Sequence, residues 1–370
     1  MTQLHGQQLV SKLDADGTLT VELADHEVAA PTGTQVVIRV EAAPINPSDL
    51  GLLFGPADIE NATFTPGKIV ARMPGAAVRA MGSRHGLAMP VGNEGAGTVV
   101  AAGEAPEAQA LMGKRVTSFP GAMYATYAVA DARMCLELGD VSAEQGASAF
   151  VNPLTALSFT ETMRHHGHKA LVHTAAASNL GQMLVKICQA DGIPLVNVVR
   201  SEAQVAILKG IGAEHVVDSS QDSFLEDLHA AVDATKATMV FDAIGGGKLV
   251  SQIMTVMEQV ANSGAAYSRY GSNSPKHAFI YGALDLSPTV LTRNFGFSWD
   301  VSGWLLTPWM GKLGPEIVAK MRARVLAELT TTFASNYKAR VTLEQALSRE
   351  AALDYNARRT GEKYLITPAG

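Results

Sequence analysis

A turn of small residues between an apolar run and a helical stretch carries the clearest chemical signal in the sequence. Residues 170–174 have the composition of a buried strand, and residues 175–181, Ala-Ala-Ala-Ser-Asn-Leu-Gly, lead from it into a helix. Small side chains let the backbone approach a pyrophosphate, and the first amides of a helix supply N–H donors and a partial positive charge. The turn therefore predicts a dinucleotide site. The alternative is a tight strand–helix turn without a ligand, because the usual glycine pattern is reduced to Ala-x-x-Ser-x-x-Gly.

An arginine at the end of the next strand indicates which dinucleotide would bind. Sites for NAD usually place Asp or Glu at this strand end, about 20 residues past the glycines, to bind the ribose 2′-hydroxyl. Here the strand ends in Val199-Arg200-Ser201. A guanidinium pairs with a 2′-phosphate that a carboxylate would repel, so NADPH is the predicted cofactor. A solvated surface arginine is the alternative.

Three further features carry weaker signals. Gly245-Gly246-Gly247 follows another strand, at the carboxyl end where ligands bind in doubly wound sheets, although a plain loop would look the same. Asn152-Pro153 is a good helix start and needs no other explanation. His165, His166 and His168 could bind a metal ion, but an exposed connection between two elements is the favoured interpretation.

The elements that must position these residues change character along the chain. Residues 1–147 contain short alternating strands broken by Gly and Pro, as in a small β-barrel. Residues 148–294 alternate apolar runs with helical stretches, which indicates βαβ units and a doubly wound parallel sheet. Residues 295–370 contain a long amphipathic helix and a terminal strand that returns to the first domain. We expect an α/β protein of two domains.

Composition excludes several classes of protein. Lys and Arg number 29 against 35 Asp and Glu, a net charge of −6, whereas a nucleic-acid binder shows a basic excess. Two cysteines cannot form a disulfide framework or a four-cysteine zinc site. The sequence shows neither a signal peptide nor an apolar run long enough to span a membrane. These observations predict a soluble cytoplasmic protein.

Five motifs together resemble the medium-chain dehydrogenase/reductase superfamily, on its zinc-free quinone oxidoreductase and trans-2-enoyl reductase side. They are Ala-Pro-Ile-Asn-Pro-Ser-Asp-Leu at 43–50, Gly-Asn-Glu-Gly-Ala-Gly at 92–97, Val-Asn-Pro-Leu-Thr-Ala at 151–156, the turn at 175–181 and Gly-Ala-Glu-His-Val at 212–216. The resemblance implies a GroES-like β-barrel catalytic domain, formed by residues 1–147 and completed by 295–370. It also implies a Rossmann domain at residues 148–294, and a homodimer.

The same resemblance argues against a metal centre. Zinc-dependent relatives place Cys where this chain has Asn46 and His where it has Asn93, and no Cys lies between residues 136 and 187. The thiolate and imidazole ligands that zinc prefers are missing, so no metal is expected.

Positions that match the cofactor contacts of enoyl reductases form one predicted set, assigned by resemblance. Most of them follow the strands of the parallel sheet, and one lies near the C-terminus. They are Asn152, Thr155, Ser178, Asn179, Leu180, Gly181, Arg200, Ser201, Gly245, Tyr281, Gly282, Ala283, Leu284, Trp304, Leu305, Leu306 and Lys363.

The implied reaction is transfer of the NADPH hydride to a small electrophile, either an enone, an enal or an enoyl thioester. Enoyl reductases carry a tyrosine as proton donor where this chain has Ala57. Tyr124 is the nearest candidate acid, although a packed barrel aromatic is the favoured interpretation, and Asn46 could orient the substrate. Residues 65–85 form an insertion that could bind an anionic or bulky substrate or be a solvated loop.

Two alternatives remain open at this point. Within the same class, the chain could be an NADPH:quinone reductase, which needs no dedicated acid. In another class, it could be an NADPH-binding sensor or structural protein with little turnover.

Overall fold

The computed structural model describes residues 3–361 and 363–368. The chain divides into a β-rich unit, Met1–Val151 with Arg324–Gly370, and a parallel-sheet unit, Asn152–Ala323. The second boundary lies later than the predicted residue 294. The reason is a strand at Trp299–Gly303, which pairs with the parallel sheet and keeps the residues after 294 in that unit.

The strands follow one another along the whole chain. Their bounds are β1 (Leu4–Leu13), β2 (Thr18–Val28), β3 (Gln35–Pro44), β4 (Asp58–Thr65), β5 (Lys68–Arg72), β6 (Ala88–Pro90), β7 (Gly95–Ala102), β8 (Arg115–Ser118), β9 (Tyr127–Asp131), β10 (Leu136–Glu137), β11 (Leu171–Thr174), β12 (Leu195–Val199), β13 (His215–Asp218), β14 (Met239–Asp242), β15 (Gly245–Gly247), β16 (Lys276–Ile280), β17 (Asp285–Thr289), β18 (Trp299–Gly303), β19 (Ala339–Val341) and β20 (Tyr364–Ile366).

The longer helices belong to the parallel-sheet unit and to the C-terminal segment. The α-helices are α1 (Leu50–Leu53), α2 (Gly75–Ala80), α3 (Pro106–Gln109), α4 (Ala143–Gly146), α5 (Val151–His165), α6 (Asn179–Asp191), α7 (Glu202–Gly210), α8 (Phe224–Thr235), α9 (Leu249–Asn262), α10 (Leu306–Leu313), α11 (Pro315–Ala327) and α12 (Arg349–Asn356). Short 3₁₀ helices occupy Gly82–Arg84, Ala132–Met134 and Gln345–Leu347. No helix among these described residues is both long and apolar enough to cross a membrane.

The β-rich unit holds two sheets, in the orders β4-β5-β2-β1-β6 and β10-β8-β7-β3-β20-β19, with β9 also paired to β3. Alternate residues of β2 face the core, as the period-two pattern predicts: Leu19 and Val21 are buried. The terminal strand β20 pairs antiparallel with β3, so the predicted return of the chain's end to the first domain is confirmed.

The insertion is more than a solvated loop, although Arg72 and Arg79 within it are exposed. It begins at the last residue of β4 and contains β5, which pairs with β4, and then α2 and the following 3₁₀ helix. Arg84 donates from Nη2 to Ser11 Oγ at 2.6 Å and to the Leu52 carbonyl at 2.8 Å. Its guanidinium therefore ties the insertion to β1 and α1.

The parallel-sheet unit contains six parallel strands in the order β13-β12-β11-β14-β16-β18. Helices α6, α7, α8 and α9 connect the strands, as the predicted βαβ pattern requires. Helix α8 was not predicted, although its buried residues Phe224, Leu228 and Val232 recur at i, i+4 and i+8. Strand β18 was not predicted either.

Candidate active site

The carboxyl ends of four adjacent parallel strands form the edge at which the predicted cofactor residues collect. In-register pairing of β12 with β11, of β11 with β14 and of β14 with β16 aligns these ends. Ligands of doubly wound sheets bind at this edge, because the loops that leave the strands diverge there.

The turn after β11 is built for close backbone approach. Ser178 caps α6 and accepts a hydrogen bond on Oγ from the Gly181 amide at 3.1 Å. A Cβ at position 181 would lie 2.0 Å from the Ala176 carbonyl oxygen, so only glycine fits. Asn179 and Leu180 are the first two residues of the helix. All four residues predicted at the pyrophosphate thus lie at the N-terminus of a 13-residue helix, where an anion is stabilised.

Arg200 directly follows β12 and precedes Ser201, the N-cap residue of α7, and it is exposed. Its backbone amide donates to Gln204 Oε1 at 3.0 Å, while Ser201 Oγ caps α7 by accepting from the Gln204 amide. These bonds fix the backbone at the end of β12. The guanidinium stands at the sheet edge where a 2′-phosphate would be recognised.

A buried carboxylate that the sequence did not single out organises the glycine loop after β14. Asp242 Oδ1 accepts from Thr174 Oγ1 at 2.6 Å, and Oδ2 accepts from the Gly245 amide at 2.8 Å. Asp242 is 1% exposed. A polar residue that ends an apolar strand could have been the signal, because buried carboxylates need hydrogen-bond donors.

The loop after β16 lies directly against this glycine loop. The Tyr281 amide donates to the Asp242 carbonyl at 2.9 Å and the Leu284 amide to the Ala243 carbonyl at 3.2 Å. A Cβ at Gly282 would lie 2.5 Å from the Ala243 carbonyl oxygen. The predicted contacts Gly245, Tyr281, Gly282, Ala283 and Leu284 are therefore brought together in two adjoining loops.

An aromatic cluster lies behind these loops. The Tyr281 hydroxyl is 2.8 Å from Nε2 of His173, and the Phe159 ring lies 4.8 Å from the rings of both Tyr281 and Trp304. Burial lowers the pKa of His173 to about 3, so this imidazole is neutral at physiological pH. Trp304 donates from its backbone amide to the Ile280 carbonyl at 2.9 Å.

The remaining predicted contacts of the parallel-sheet unit differ in exposure. Asn152 and Thr155 lie in the first turns of α5 and are buried. Leu306 is also buried, whereas Leu305 is 66% exposed. The Leu305 side chain is therefore accessible at this strand end.

In the β-rich unit, Asn46 belongs to a buried polar network. Its Nδ2 donates to Glu94 Oε1 at 2.8 Å, and Glu94 Oε2 accepts from the amides of Phe150 and Val151 at 2.8 and 2.9 Å. Burial raises the pKa of Glu94, while Lys363 and these amides oppose the rise.

Asp49 joins Asn46 to Asn93. Its Oδ2 accepts from the Asn46 amide at 2.8 Å and its Oδ1 from the Asn93 amide at 2.7 Å. Burial raises the pKa of Asp49 to about 6, although these amides act in the opposite direction. Both asparagines at the positions of zinc ligands in relatives are thus held by one carboxylate.

Lys363 lies beside the same network. Its Nζ donates to Ser148 Oγ at 2.7 Å, and Ser148 Oγ lies 2.9 Å from the Tyr337 hydroxyl. Burial lowers the pKa of Lys363 to about 8, while the nearby carboxylates of Glu94 and Asp49 raise it. Ser148 and Tyr337 were absent from the predicted site residues.

Tyr124 occupies a packing position. It is buried, its hydroxyl donates to the Pro44 carbonyl at 2.9 Å, and burial raises its pKa well above the ordinary value. It lies before β9, outside the strand. A hydroxyl already donating to a buried carbonyl is poorly placed to protonate a substrate, so the packing interpretation is favoured over the acid.

The histidine cluster also departs from the exposed connection that the sequence favours. His168 is 5% exposed, and its ring nitrogens lie 2.6 Å from Thr238 Oγ1 and 2.6 Å from His277 Nδ1. Over residues 3–361 and 363–368, no three His, Cys, Asp or Glu side chains are grouped so that they could hold a metal ion.

Comparison with known proteins identifies relatives of both units. The family described as zinc-binding dehydrogenase matches residues 180–265, all within the parallel-sheet unit. The mitochondrial enoyl-[acyl-carrier-protein] reductase of Bos taurus is 28% identical over 238 residues, which cover 62% of this chain and 57% of the relative. The chain thus spans somewhat more than half the length of that relative.

Solved structures extend the likeness to the whole chain. A Mesorhizobium loti protein, described as a candidate NADPH:quinone reductase, is 27% identical with a TM-score of 0.75, and the match covers 100% of both chains. A mycobacterial protein solved with NADPH shares the fold, with a TM-score of 0.68 at 19% identity over 98% of this chain and 100% of that one. Together these likenesses support the medium-chain dehydrogenase/reductase superfamily, on its quinone oxidoreductase and enoyl reductase side, as the family that this chain resembles.

Proposed function

We propose that this chain is an NADPH-dependent oxidoreductase that reduces a C=C bond conjugated to a carbonyl group, without zinc. The observation that carries the proposal is the strand-end edge of the parallel-sheet unit. There the Ser178–Gly181 helix start and the exposed Arg200 follow neighbouring strands. Relatives named enoyl-[acyl-carrier-protein] reductase favour an enone, enal or enoyl thioester as the small-molecule substrate.

The residues of this edge fit an NADPH molecule. The close packing of Gly181 on Ala176 brings the start of α6 against the turn, where the first amides of the helix would meet a pyrophosphate. Arg200 with Ser201 would hold the 2′-phosphate, and the loops at Gly245 and at residues 281–284 would border the nicotinamide. When bound, NADPH supplies the hydride of the reaction.

The chain's own part in the chemistry is to hold and polarise the substrate. Backbone and side-chain donors would stabilise the negative charge that develops on the substrate's carbonyl oxygen. Asn46 could orient the substrate through its side-chain carbonyl oxygen, which is buried and has no hydrogen-bond partner among the described residues. An amide is not a general acid, so Asn46 cannot supply a proton.

Zinc independence rests on the chemistry of the residues themselves. Asn46 donates to Glu94, and Asn93 donates from Nδ2 to Ser48 Oγ at 3.1 Å. Amide groups engaged in this way are poor substitutes for the thiolate and imidazole ligands of zinc.

A quinone is the second candidate substrate. The Mesorhizobium loti protein matches this chain over its full length and is described as a candidate NADPH:quinone reductase. We further propose that the protein acts as a homodimer in the cytoplasm and binds no nucleic acid; the acidic net charge of −6 supports the last point.

The experiment is to follow NADPH absorbance with crotonyl-CoA, 2-hexenal, an enone and 1,4-benzoquinone, and to repeat each assay with NADH. We expect NADPH oxidation with at least one conjugated C=C substrate. Oxidation with the quinone alone would move the protein to the quinone reductases. NADPH binding without oxidation would replace the enzyme with a sensor or structural protein, and a preference for NADH would contradict the role of Arg200.

A further inference from the structure

We propose that Asp242 is a positioning residue for the cofactor. Its carboxylate joins the turn after β11, which would hold the pyrophosphate, to the glycine loop after β14, which would border the nicotinamide. Asp242 thereby fixes where the two halves of NADPH are held relative to each other. This inference rests on the proposed function and deepens it, because the cofactor contacts of both loops are part of that proposal.

The two loops leave neighbouring strand ends. Strands β11 and β14 pair in parallel, and their last residues, Thr174 and Asp242, follow directly after the paired residues His173 and Phe241. Both side chains are buried: Thr174 is 0% exposed and Asp242 is 1% exposed. Thr174 Oγ1 donates to Asp242 Oδ1 at 2.6 Å. The loops are therefore joined at the point where they begin to diverge.

The surrounding hydrogen bonds require a carboxylate at position 242. The Ala243 amide donates to Thr174 Oγ1 at 2.9 Å, so this hydroxyl is free to donate only to the carboxylate. The carboxylate also accepts the Ile244 amide on Oδ1 at 3.2 Å and the Gly245 amide on Oδ2 at 2.8 Å. An asparagine would keep one acceptor oxygen and turn its NH₂ group toward one of these donors.

The backbone on the pyrophosphate side of the bond is strained. Ala175, the residue after Thr174, has a φ of 50°, in the left-handed region that residues other than glycine rarely occupy. Its carbonyl oxygen accepts the Ser178 amide at 3.0 Å, so the start of α6 fixes one side of the strained residue. Such a conformation persists only where its surroundings fix it, and the bond between Thr174 and Asp242 fixes the other side.

On the nicotinamide side, Asp242 holds two loops. Gly245, whose amide it accepts, has a φ of 83°, and a Cβ there would lie 2.9 Å from the Gly282 carbonyl oxygen. The Asp242 carbonyl oxygen accepts the Tyr281 amide at 2.9 Å. One residue therefore bonds to the strand end before the pyrophosphate turn, to the glycine loop and to the loop after β16.

A ligand that contacts only one of these parts should not depend on how they are placed relative to each other. The nucleotide 2′,5′-ADP carries the adenosine, the 2′-phosphate and one 5′-phosphate, but no nicotinamide. It would contact Arg200 and the start of α6, whereas NADPH would also contact the loops held by Asp242. Loss of the bond between Thr174 and Asp242 should therefore weaken NADPH more than 2′,5′-ADP.

The test uses Asp242→Asn and Thr174→Val, which preserve side-chain size, and Thr174→Ser, which preserves the hydroxyl. Thr235→Val is the matched control, because it removes a buried hydroxyl that donates within α8 to the Ala231 carbonyl at 2.8 Å. Calorimetry measures the Kd of NADPH and of 2′,5′-ADP for each variant. The nicotinamide fluorescence of bound NADPH reports how firmly the nicotinamide is held.

We expect Asp242→Asn and Thr174→Val each to weaken NADPH about 10-fold, the effect of one lost buried hydrogen bond. Their affinity for 2′,5′-ADP should change less than about threefold, and the fluorescence of bound NADPH should fall toward that of free NADPH. The double variant should be no weaker than either single variant, because both changes remove the same bond. Thr174→Ser and Thr235→Val should match the wild-type chain.

Equal weakening of NADPH and 2′,5′-ADP would overturn the inference and leave Asp242 with a role in folding alone. Unchanged NADPH affinity and fluorescence in Thr174→Val would overturn it as well, and this variant decides the matter if Asp242→Asn does not fold. The proposed function fails in a different way. If the wild-type chain binds NADPH and the variants show the expected difference, but no electrophile is reduced, the reductase is refuted and the positioning role is upheld.

Discussion

Gly181 and Ala176 are in such close contact that a Cβ at position 181 would lie 2.0 Å from the Ala176 carbonyl oxygen. Helix α6 can begin directly at the sheet edge only because this side chain is missing. The contact sets how near a ligand can come to the first amides of α6.

The variant Gly181→Ala should lose stability by about 1–3 kcal/mol, since the added methyl group must push helix and strand apart. NADPH affinity should fall as well, because the helix start moves. Urea unfolding and fluorescence titration measure the two effects. Gly210→Ala in α7 is the control, because its Cβ would meet nothing within 4 Å. If Gly210→Ala lost as much stability as Gly181→Ala, the loss could not be due to the contact with Ala176.

Arg200→Ala should weaken NADPH binding about 10–100-fold, the equivalent of one lost charge-assisted hydrogen-bonding group. NADH, which lacks the 2′-phosphate, should bind as before. Titrations with both nucleotides check this, with Lys209→Ala on the exposed face of α7 as the matched loss of charge. If the substitution weakened NADPH and NADH binding equally, Arg200 would not be the residue that recognises the 2′-phosphate.

Tyr124→Phe should cost about 1–3 kcal/mol of stability, because the buried Pro44 carbonyl loses its donor. Its kcat with an enone should stay within about twofold of the wild type, since a packing residue transfers no proton. Thermal unfolding and steady-state kinetics separate these effects, with Tyr127→Phe as control. A large fall in kcat with unchanged stability would restore Tyr124 as the acid.

The histidine cluster should make the protein sensitive to acid. Burial, followed by repulsion from His277 and His166, lowers the pKa of His168 from 6.5 to about 4. Between pH 6.5 and about 4, His168 therefore binds a proton in the unfolded chain but not in the folded chain. The stability due to this group is complete above pH 6.5 and is lost as the pH falls toward 4.

Unfolding free energies of the wild type and of His168→Gln, measured between pH 4 and 7, test this expectation. The groups around His168 are His166, His277, Thr238 and, through His277, Asp300. The difference in unfolding free energy between the wild type and His168→Gln should narrow by about 2–3 kcal/mol as the pH falls from 7 to 4. A difference that does not change with pH would show that His168 does not titrate in this way.

Local patterns predicted the parallel-sheet unit well. Strand β11 lies within one residue of the predicted range 170–174, and α6 begins inside the predicted turn at 175–181, because neighbouring residues determine buried strands and helix starts. Strand β18 could not be assigned in this way. Its residues are mostly exposed, and their types do not indicate which sheet they join.

In the candidate site, too, local features were predicted and contacts between distant residues were not. The turn at Ser178 and the strand end at Arg200 are local features, so the sequence singled them out. The network of Glu94, Ser148 and Lys363 joins residues far apart in the chain, and its contacts exist only after folding. Burial then changes the chemistry of Lys363, which no spacing in the sequence records.

Transfer of deuterium from NADPH that carries deuterium at both C4 positions tests the central claim most directly. The protein is incubated with the labelled cofactor and an enone, and the product is examined by NMR and mass spectrometry. We predict deuterium at the β-carbon of the saturated product and hydrogen from water at the α-carbon. A saturated product without deuterium, or no product while NADPH is bound, would contradict the account of this chain as an NADPH-dependent C=C reductase.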